Sequence, residues 1–242
     1  MRNLFINKEN IEDDYCYITG DDARHLLKVL RYKVGDEIIV SDGETKYRAL
    51  FSGMKESNII LKILQPINSE KIENADITLF QGLPKADKME FIIQKCTEIG
   101  VNKFIPVNTK YSVVNLNNDN TERKISRWRK IAVEASKQSG RFTLPEVLMP
   151  INFTDVLDKI CDFDLFIVPY EKETNITIKH IFKDFIRAKR IGIFIGPEGG
   201  FSVEELEQLV KNGAISITLG PNILRTETAA IVVSAIIMHE IS

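Results

Sequence analysis

Two glycine-proline bends follow predicted strands in the last quarter of the chain. The first is GPEGG at residues 196–200, after the apolar run RIGIFI, and the second is GPNILR at residues 220–225, after AISITL. Glycine permits unusual backbone angles and proline fixes its own φ, so each pair predicts a sharp, rigid turn. The adjacent glycines at 199 and 200 would let backbone amides approach a ligand closely. Taken singly, each bend is more typical of an ordinary tight turn than of a binding site.

The residue types in the bends argue against phosphate ligands. The chain contains neither GxGxxG nor GxxxxGK[ST], and neither bend carries a lysine that would meet a phosphate. This excludes the common dinucleotide and triphosphate fingerprints. The apolar neighbours of the bends are Ile195, Leu219, Ile223 and Leu224. A cleft of backbone polar groups with such walls suits an adenine ring and a small zwitterion.

The segments around the bends predict a parallel α/β sheet. Strands are predicted at residues 77–82, 104–108, 164–170, 190–196 and 214–220, and helices at 84–100, 121–140, 176–187, 202–212 and 226–242. Such alternation is typical of a parallel sheet, whose ligands bind beyond the carboxyl ends of the strands. The last helix is apolar nearly all round, which predicts burial in the core or against a partner subunit.

Residues 1–70 predict a smaller, β-rich unit. The segment DARHLLKVLR predicts a helix whose apolar face contains Ala23, Leu26, Leu27 and Leu30. Three strands follow, EIIVS, TKYRALFSG and NIILKIL, and the Asp-Gly pair between the first two is a strong hairpin signal. The polar stretch 68–76 is typical of a linker. We therefore expect two domains, at residues 1–70 and 75–242.

The charge balance excludes a uniformly basic nucleic-acid binder. The chain has 32 Lys and Arg against 34 Asp and Glu, a net charge of −2. Residues 121–141 nevertheless hold seven Lys and Arg against two Glu, a pattern typical of polyanion docking or of a solvated helix face. The 3 Cys and 3 His lack ligand spacing, so we expect reduced thiols and no metal. With no signal peptide and no run of 18 apolar residues, we expect a cytoplasmic protein without a membrane segment.

Five segments together resemble one enzyme family. They are HLLKVLRYKVGDEI, KMEFIIQKCTEIGV, EASKQSGR, IGPEGG and LGPNILRTETAA, and they extend from His25 to Ala230 in the family's order. The chain resembles the SPOUT superfamily of RNA methyltransferases, and within it the RsmE-type enzymes that methylate N3 of a uridine in 16S ribosomal RNA. The resemblance implies a PUA-like N-terminal β-barrel that binds RNA and a C-terminal α/β domain with a mostly parallel sheet and a trefoil knot. It also implies a homodimer with active sites at the subunit interface.

The resemblance further implies S-adenosylmethionine as the cofactor and S-adenosylhomocysteine as its product. It places the site on both bends and on the strand end at residues 168–170. The expected cofactor-binding residues are Val168, Pro169, Tyr170, Ile195, Gly196, Pro197, Glu198, Gly199, Gly200, Leu219, Gly220, Ile223, Leu224, Arg225, Thr226, Thr228 and Ala229. Backbone groups are expected to hold adenine, with Thr226 and Thr228 near the methionine end.

Methylation at uracil N3 requires loss of a weakly acidic proton. A nearby cation lowers the cost of the resulting anion, and a base accepts the proton. Arg225 is the predicted electrostatic residue because it lies in the second bend itself. Glu198 and Glu227 are the candidate bases, although a structural role as acceptors of backbone N–H groups is more typical of such residues.

The partner implied by the resemblance is the 16S RNA of the small ribosomal subunit. The candidate RNA-binding residues are Arg2, Arg24, Lys28, Arg31, Lys85, Lys88, Arg123, Arg127, Arg129, Lys130 and Arg141. Trp128 would stack a base or, more typically, pack in the core. Two alternatives stay open: a ribose 2′-O-methyltransferase of the same superfamily, and an RNA-binding assembly factor that has lost its chemistry.

Overall fold

The computed structural model of the chain describes residues 4–6, 10–43, 45–56, 58–67, 75–112, 120–141, 143–185 and 187–241. The chain divides into two compact units. The first comprises residues 1–72 and 136–144, and the second comprises residues 73–135 and 145–242. Arg2 and residues 68–74 of the predicted linker lie outside the described residues.

The first unit is built on a six-stranded sheet. Its strands are β1 (Leu4–Phe5), β2 (Ile11–Glu12), β3 (Tyr15–Ile18), β4 (Glu37–Ser41), β5 (Lys46–Lys55) and β6 (Asn58–Ile67). They lie in the order β1-β4-β5-β6-β3-β2, with only the β1–β4 pair parallel among them. The register between β5 and β6 shifts at Arg48/Ala49 and again at Phe51/Gly53. Such bulges bend the strands and increase the local twist, so they curl the sheet.

The predicted hairpin between β4 and β5 is confirmed. Ser41 pairs with Lys46 across the antiparallel ladder, and the Asp42 side chain accepts a 2.7 Å hydrogen bond from the Thr45 N–H. Gly43 adopts a φ of +94°, which only glycine adopts without strain. The strands β1, β2 and β3 were not predicted from the sequence; β1 and β2 have only two residues each, too few to show an alternating pattern.

The helix of the first unit differs from the predicted one. It comprises α1 (Gly20–Arg24) followed by a π-helix (His25–Val29). The Leu30 N–H donates to the His25 carbonyl oxygen over 3.0 Å, a turn one residue wider than an α-helical turn. The wider turn rotates the residues that follow it, so Leu30 is 41% exposed instead of lying on the apolar face. Ala23 and Leu26 are buried as predicted.

The second unit contains the predicted parallel sheet. Its strands are β7 (Asp76–Gly82), β8 (Lys103–Asn108), β9 (Glu146–Val147), β10 (Ile151–Asn152), β11 (Leu165–Pro169), β12 (Arg190–Ile195) and β13 (Ile215–Ile217). The order is β10-β8-β7-β12-β11-β13, with β9 also paired to β8, and every pair is parallel. The neighbours β12, β11 and β13 therefore end at the same edge of the sheet.

Helices cover both faces of this sheet. They are α2 (Lys88–Ile99), α3 (Asn120–Ser139), α4 (Phe153–Leu157), α5 (Ile178–Phe185), α6 (Val203–Lys211) and α7 (Thr226–Glu240), with a short 3₁₀-helix at Ile160–Asp162. Successive side chains of each strand point to opposite faces of the sheet. Because both faces are buried, the side chains form two separate hydrophobic cores, one on each face. One core joins Leu79 and Ile193 to α2, α3, α5 and α7, and the other joins Phe80 and Phe194 to α4 and α6.

Helix α2 begins later than its sequence predicts. Pro84 was the predicted start, but the helix begins at Lys88. Ala86 adopts a left-handed φ of +53°, which breaks any helical path between Pro84 and Lys88. The predicted end is confirmed, because Gly100 has a φ of +133° and its N–H donates to the Cys96 carbonyl oxygen.

The C-terminal helix α7 packs in the core on one side. Ala230, Val233 and Ile237 are fully buried, whereas Ile231 and Ile236 are partly exposed in the single chain. Among the described residues, no helix combines the length and the apolar character needed to cross a bilayer. The trefoil knot stays a prediction.

Trp128 is a core residue. Its side chain is 6% exposed and packs in the core beneath α3. The substitution Trp128→Ala should lower the free energy of unfolding by about 3–5 kcal/mol, because the smaller side chain leaves a cavity in the core. Arg123→Ala, at an exposed position of the same helix, should stay within about 0.5 kcal/mol. Urea unfolding measures both, and equal small effects would contradict the core assignment.

Candidate functional site

The first bend leaves the sheet at the carboxyl end of β12. Gly200 has a φ of +68°, and its N–H donates to the Pro197 carbonyl oxygen over 2.9 Å. A Cβ on Gly196 would lie 3.0 Å from the Gly200 carbonyl carbon, and a Cβ on Gly82 at the end of β7 would lie 2.6 Å from Pro197 Cδ. The bend therefore folds against itself and against β7 so closely that these positions require glycine.

The exit of the first bend is fixed by a capping box. The Glu205 N–H donates to Ser202 Oγ over 3.2 Å, and the Ser202 N–H donates to Glu205 Oε2 over 2.9 Å. The other Glu205 oxygen accepts a 2.8 Å hydrogen bond from the Lys110 N–H. The capping box that Ser202 and Glu205 predict is confirmed, and it starts α6 immediately after the bend.

The second bend connects β13 to the start of α7. Gly220 has a φ of +121°, and its N–H donates to Thr218 Oγ1 over 3.2 Å. Arg225 is the N-cap residue of α7 and has an extended backbone. Between them, Ile223 is 83% exposed, the highest value for a large apolar side chain among the described residues.

Both bends border one cavity of about 490 Å³. Their strands, β12 and β13, flank β11, so the three chain segments that follow these strands meet at one edge of the sheet. The cavity is lined by Lys88, Pro169, Tyr170, Glu171, Ile195, Gly196, Pro197, Glu198, Gly199, Gly200, Phe201, Thr218, Leu219, Gly220, Pro221, Asn222, Ile223, Leu224, Arg225, Thr226 and Ala229. Its volume lies within the range of about 300–1,000 Å³ that is typical of small-molecule sites.

The predicted cofactor-binding residues line this cavity, except for Val168 and Thr228. Val168 is fully buried beneath α4 and α6, because alternate residues of β11 face opposite sides of the sheet. Thr228 is exposed, because side chains two positions apart on an α-helix point to different faces, and Thr226 occupies the buried one. The binding role of the lining residues stays a prediction.

Several lining residues were not predicted. Lys88 was assigned to RNA, and the others lie within or directly beside a predicted strand or bend: Glu171, Phe201, Thr218, Pro221 and Asn222. Extending each predicted segment by one or two residues would have included them. Lys88 had no such signal, because more than 100 residues separate it from both bends.

A buried hydrogen-bond node joins the two bends. Thr226 Oγ1 donates to the Gly196 carbonyl oxygen over 2.6 Å and accepts a 2.9 Å hydrogen bond from Gln81 Nε2. Gln81 is fully buried at the end of β7, and its amide also donates to the Gly82 carbonyl oxygen. The hydroxyl proton of Thr226 is thus committed to holding the first bend against the start of α7.

Lys88 joins the same parts of the fold by charge. Its ammonium nitrogen lies 3.0 Å from Glu198 Oε1 in the first bend and 3.2 Å from Glu227 Oε2 in α7. The hydrogen bond and charge of Glu198, with those of Glu227, raise the pKa of the Lys88 ammonium despite some burial. Burial would raise the pKa of the Glu198 carboxyl, but hydrogen bonds from Lys88 and from the Lys85 N–H outweigh it and hold that pKa below 4.5.

The three candidate catalytic residues therefore differ in environment. Both Glu198 oxygens lie within 3.3 Å of the Lys85 backbone nitrogen, and Glu227 is paired with Lys88. Arg225 is exposed at the cavity, and its side chain has no hydrogen-bond or ion-pair partner among the described residues. Arg225 is therefore placed to contact a ligand, whereas the carboxylates of Glu198 and Glu227 already contact Lys88.

Most of the candidate RNA-binding residues are exposed, and some of the exposed ones also have a partner within the chain. Arg24, Lys28, Arg31, Lys85, Arg123 and Lys130 are exposed. On α3, Arg127 pairs with Glu90 at 2.8 Å, and Arg129 Nε donates to the Val147 carbonyl oxygen at 3.0 Å. Burial lowers the pKa of the Arg141 guanidinium to about 10, and Lys88 belongs to the cavity.

The cavity fits the cofactor that the sequence implies. Its walls combine apolar side chains such as Ile195 and Leu219 with the exposed backbone of the glycine bends. A Cβ on Gly200 would lie at an ordinary contact distance, 3.5 Å, from the Glu171 carboxylate oxygens, so it is the φ of +68° that favours glycine in this part of the wall. The ammonium of Lys88 is held by two carboxylates and is not free for a phosphate. An adenosine-sized ligand with a cationic centre matches these features.

Comparisons with known proteins identify related chains. A family model described as an RNA methyltransferase domain matches residues 71–238, and one described as an RNA methyltransferase PUA domain matches residues 18–64. The chain is 33% identical over 248 residues to the ribosomal RNA small subunit methyltransferase E of Bacillus subtilis, covering 99% of this chain and 97% of that protein. It is 34% identical over 232 residues to the enzyme of the same name from Mesomycoplasma hyopneumoniae, covering 96% of each.

A solved structure shares the whole fold. The crystal structure of a ribosomal RNA small subunit methyltransferase E from Neisseria gonorrhoeae, bound to S-adenosyl methionine, matches with a TM-score of 0.83 at 27% identity. The match covers 99% of this chain and 97% of that chain.

The contact between β7 and the first bend can be tested by adding one methyl group. Gly82→Ala should lower the free energy of unfolding by about 1–3 kcal/mol, because the new Cβ overlaps the Pro197 ring and backbone. Gly53→Ala is the matched control, since no atom lies within 4 Å of its added Cβ. Thermal or urea unfolding compares them, and equal losses would show that the bend does not press on β7.

Proposed function

Because the chain belongs to the RNA methyltransferase family, among the ribosomal RNA small subunit methyltransferases E, we propose that it transfers a methyl group from S-adenosylmethionine to N3 of a uridine in 16S ribosomal RNA. The proposal rests on one observation: both glycine-proline bends border the same cavity, at the carboxyl edge of β12, β11 and β13. The ligand of a parallel sheet binds at this edge.

Both bends and the segment after β11 would hold the cofactor. When bound, S-adenosylmethionine supplies a methyl group on a sulfonium centre, which is already electrophilic. The chain contributes apolar walls at Ile195, Leu219 and Leu224 and the backbone groups of residues 196–200. The node at Thr226 keeps these walls in place before any ligand arrives. The protein's main contribution to transfer is then proximity and alignment.

Arg225 acts on the acceptor base. A guanidinium beside uracil stabilises the negative charge that develops as N3 loses its proton, and the Arg225 side chain has no internal partner among the described residues to draw it away. Glu198 and Glu227 act as anchors for Lys88 and the first bend, because Glu198 is engaged by Lys88 and the Lys85 N–H, and Glu227 Oε2 lies 3.2 Å from the Lys88 ammonium nitrogen. N3 lies on the Watson–Crick edge, so the uridine must be unpaired or flipped outward.

The exposed basic residues bind the phosphate backbone of the RNA. We assign phosphate contacts to Arg24, Lys28 and Arg31 in the first unit, and to Arg123 and Lys130 on α3, all of them exposed. Contacts of this kind supply affinity and salt dependence with little base identity. The identity of the base is read at the cavity.

We further propose that the enzyme is a homodimer in the cytoplasm. Two observations support a dimer: the partly exposed apolar residues Ile231 and Ile236 of α7, and the exposed Ile223 of the second bend. Apolar surface beside a cavity is typical of an interface between subunits.

The reaction is tested by locating the new methyl group. Purified protein is incubated with small ribosomal subunits and labelled S-adenosylmethionine, and the RNA is digested to nucleosides for mass spectrometry. Added mass on uracil is the expected result. Added mass on ribose would instead establish 2′-O-methylation, and a chain that gives no heat with S-adenosylmethionine in calorimetry would be an RNA-binding factor without chemistry.

Arg225→Ala should reduce turnover by roughly 100-fold, as expected when one electrostatic donor to a developing anion is lost. Cofactor affinity should change far less, because backbone groups and apolar walls hold the cofactor. Single-turnover kinetics and calorimetric binding separate the two effects. Arg225→Lys should recover part of the rate. Equal losses in turnover and cofactor affinity would mean that Arg225 only shapes the cavity.

A further inference from the structure

We propose that the charged side chains at the cavity favour the cationic methyl donor over its neutral product, and that Lys88 and Glu227 set the size of this preference. The inference deepens the proposed function and rests on it, because it concerns how the same site treats S-adenosylmethionine and S-adenosylhomocysteine.

The charged side chains of the lining cancel one another, and Glu227, which pairs with Lys88 from outside the lining, adds one carboxylate. Lys88 and Arg225 contribute two cations to the lining, and Glu171 and Glu198 contribute two carboxylates. Glu227 adds a third carboxylate 3.2 Å from the Lys88 ammonium nitrogen. Three carboxylates and two cations leave a net side-chain charge of −1. The Glu227 side chain is only 16% exposed and that of Glu198 29%, so water screens this charge incompletely.

The two ligands differ in one charge. Transfer breaks the bond between sulfur and the methyl carbon, the electron pair of that bond stays on sulfur, and the sulfonium becomes a neutral thioether. The methyl carbon bonds to uracil N3, and the proton of N3 is released to solvent water. Adenine, ribose and the methionine end are the same before and after transfer. The ligands also differ by the methyl group itself, so the change in the ratio of the two dissociation constants from one variant to another reports the electrostatic potential at the sulfur.

A net charge of −1 changes that ratio in a defined direction. It stabilises the sulfonium and leaves the thioether nearly unaffected, so it favours donor binding and product release. For one charge several ångströms away in a partly screened cavity, we expect roughly a three- to tenfold effect on the ratio. Lys88 and Glu227 have opposite charges, so removing the charge of Lys88 shifts the ratio in one direction and removing that of Glu227 shifts it in the other.

The test measures both dissociation constants by calorimetry in wild-type protein and three variants. Glu227→Gln removes a carboxylate and should lower the preference for S-adenosylmethionine roughly three- to tenfold. Lys88→Met removes a cation and should raise it by a similar factor. Glu204→Gln is the control, because this carboxylate pairs with Lys110, which does not line the cavity, and its side chain is 68% exposed, so water screens its charge and the ratio should stay unchanged.

Opposite shifts separate an electrostatic role from structural damage. Loss of shape would weaken both ligands together and leave the ratio unchanged, and that result in Glu227→Gln would overturn the inference while the proposed function stands. Raising the salt concentration should also lower the preference of the wild-type protein, and an unchanged ratio would count against the inference even if Lys88→Met failed to fold. A wild-type protein that binds neither ligand would overturn the proposed function itself.

Discussion

The site depends on one buried hydroxyl group. Thr226 donates to the Gly196 carbonyl oxygen and accepts from Gln81, so a single side chain joins the end of β7, the first bend and the start of α7. Gln81 lies 145 residues and Gly196 lies 30 residues from Thr226 along the chain. All three groups are buried, and a buried donor or acceptor left without its partner costs about 1–3 kcal/mol. The two bends are therefore held in position by the folded chain itself, and the cavity exists before a ligand enters it.

Lys88 adds a second connection at the rim, where hydrogen bonds alone would be weakened by water. The turn before α2 brings Lys88 to the first bend, and it does so at the expense of a left-handed Ala86. In the same turn the Lys85 N–H donates to the Glu198 carboxylate. Glu198 thus has a structural reason for its position that does not involve proton transfer, because its pKa is held low and its oxygens are already engaged. The charged rim orders the first bend, and Arg225 stays available for the substrate.

The sequence predicts the site better than it predicts the elements far from it. Rigid Gly-Pro bends after β12 and β13 are readable because glycine and proline restrict the backbone locally, and the parallel alternation brings the strand ends to one edge. The π-turn after His25 and the late start of α2 depend on tertiary contacts, so periodicity placed Leu30 on the wrong face and α2 four residues too early. Lys88 shows the same limit: its charge suggested RNA, and only the folded chain places it between Glu198 and Glu227.

The electrostatics of the cavity also account for a nucleoside site without a phosphate loop. Arg225 and Thr226 both line the cavity, so the N-terminus of α7 opens into it, and the free N–H groups of a helix N-terminus attract anions. The side chains around it carry a net charge of −1 and attract cations. A polyphosphate would meet the Glu171 and Glu198 carboxylates of the lining, and a simple cation would meet the positive end of the helix. The proposed ligand, S-adenosylmethionine, carries a carboxylate together with cationic groups, so it suits a wall that has regions of both kinds.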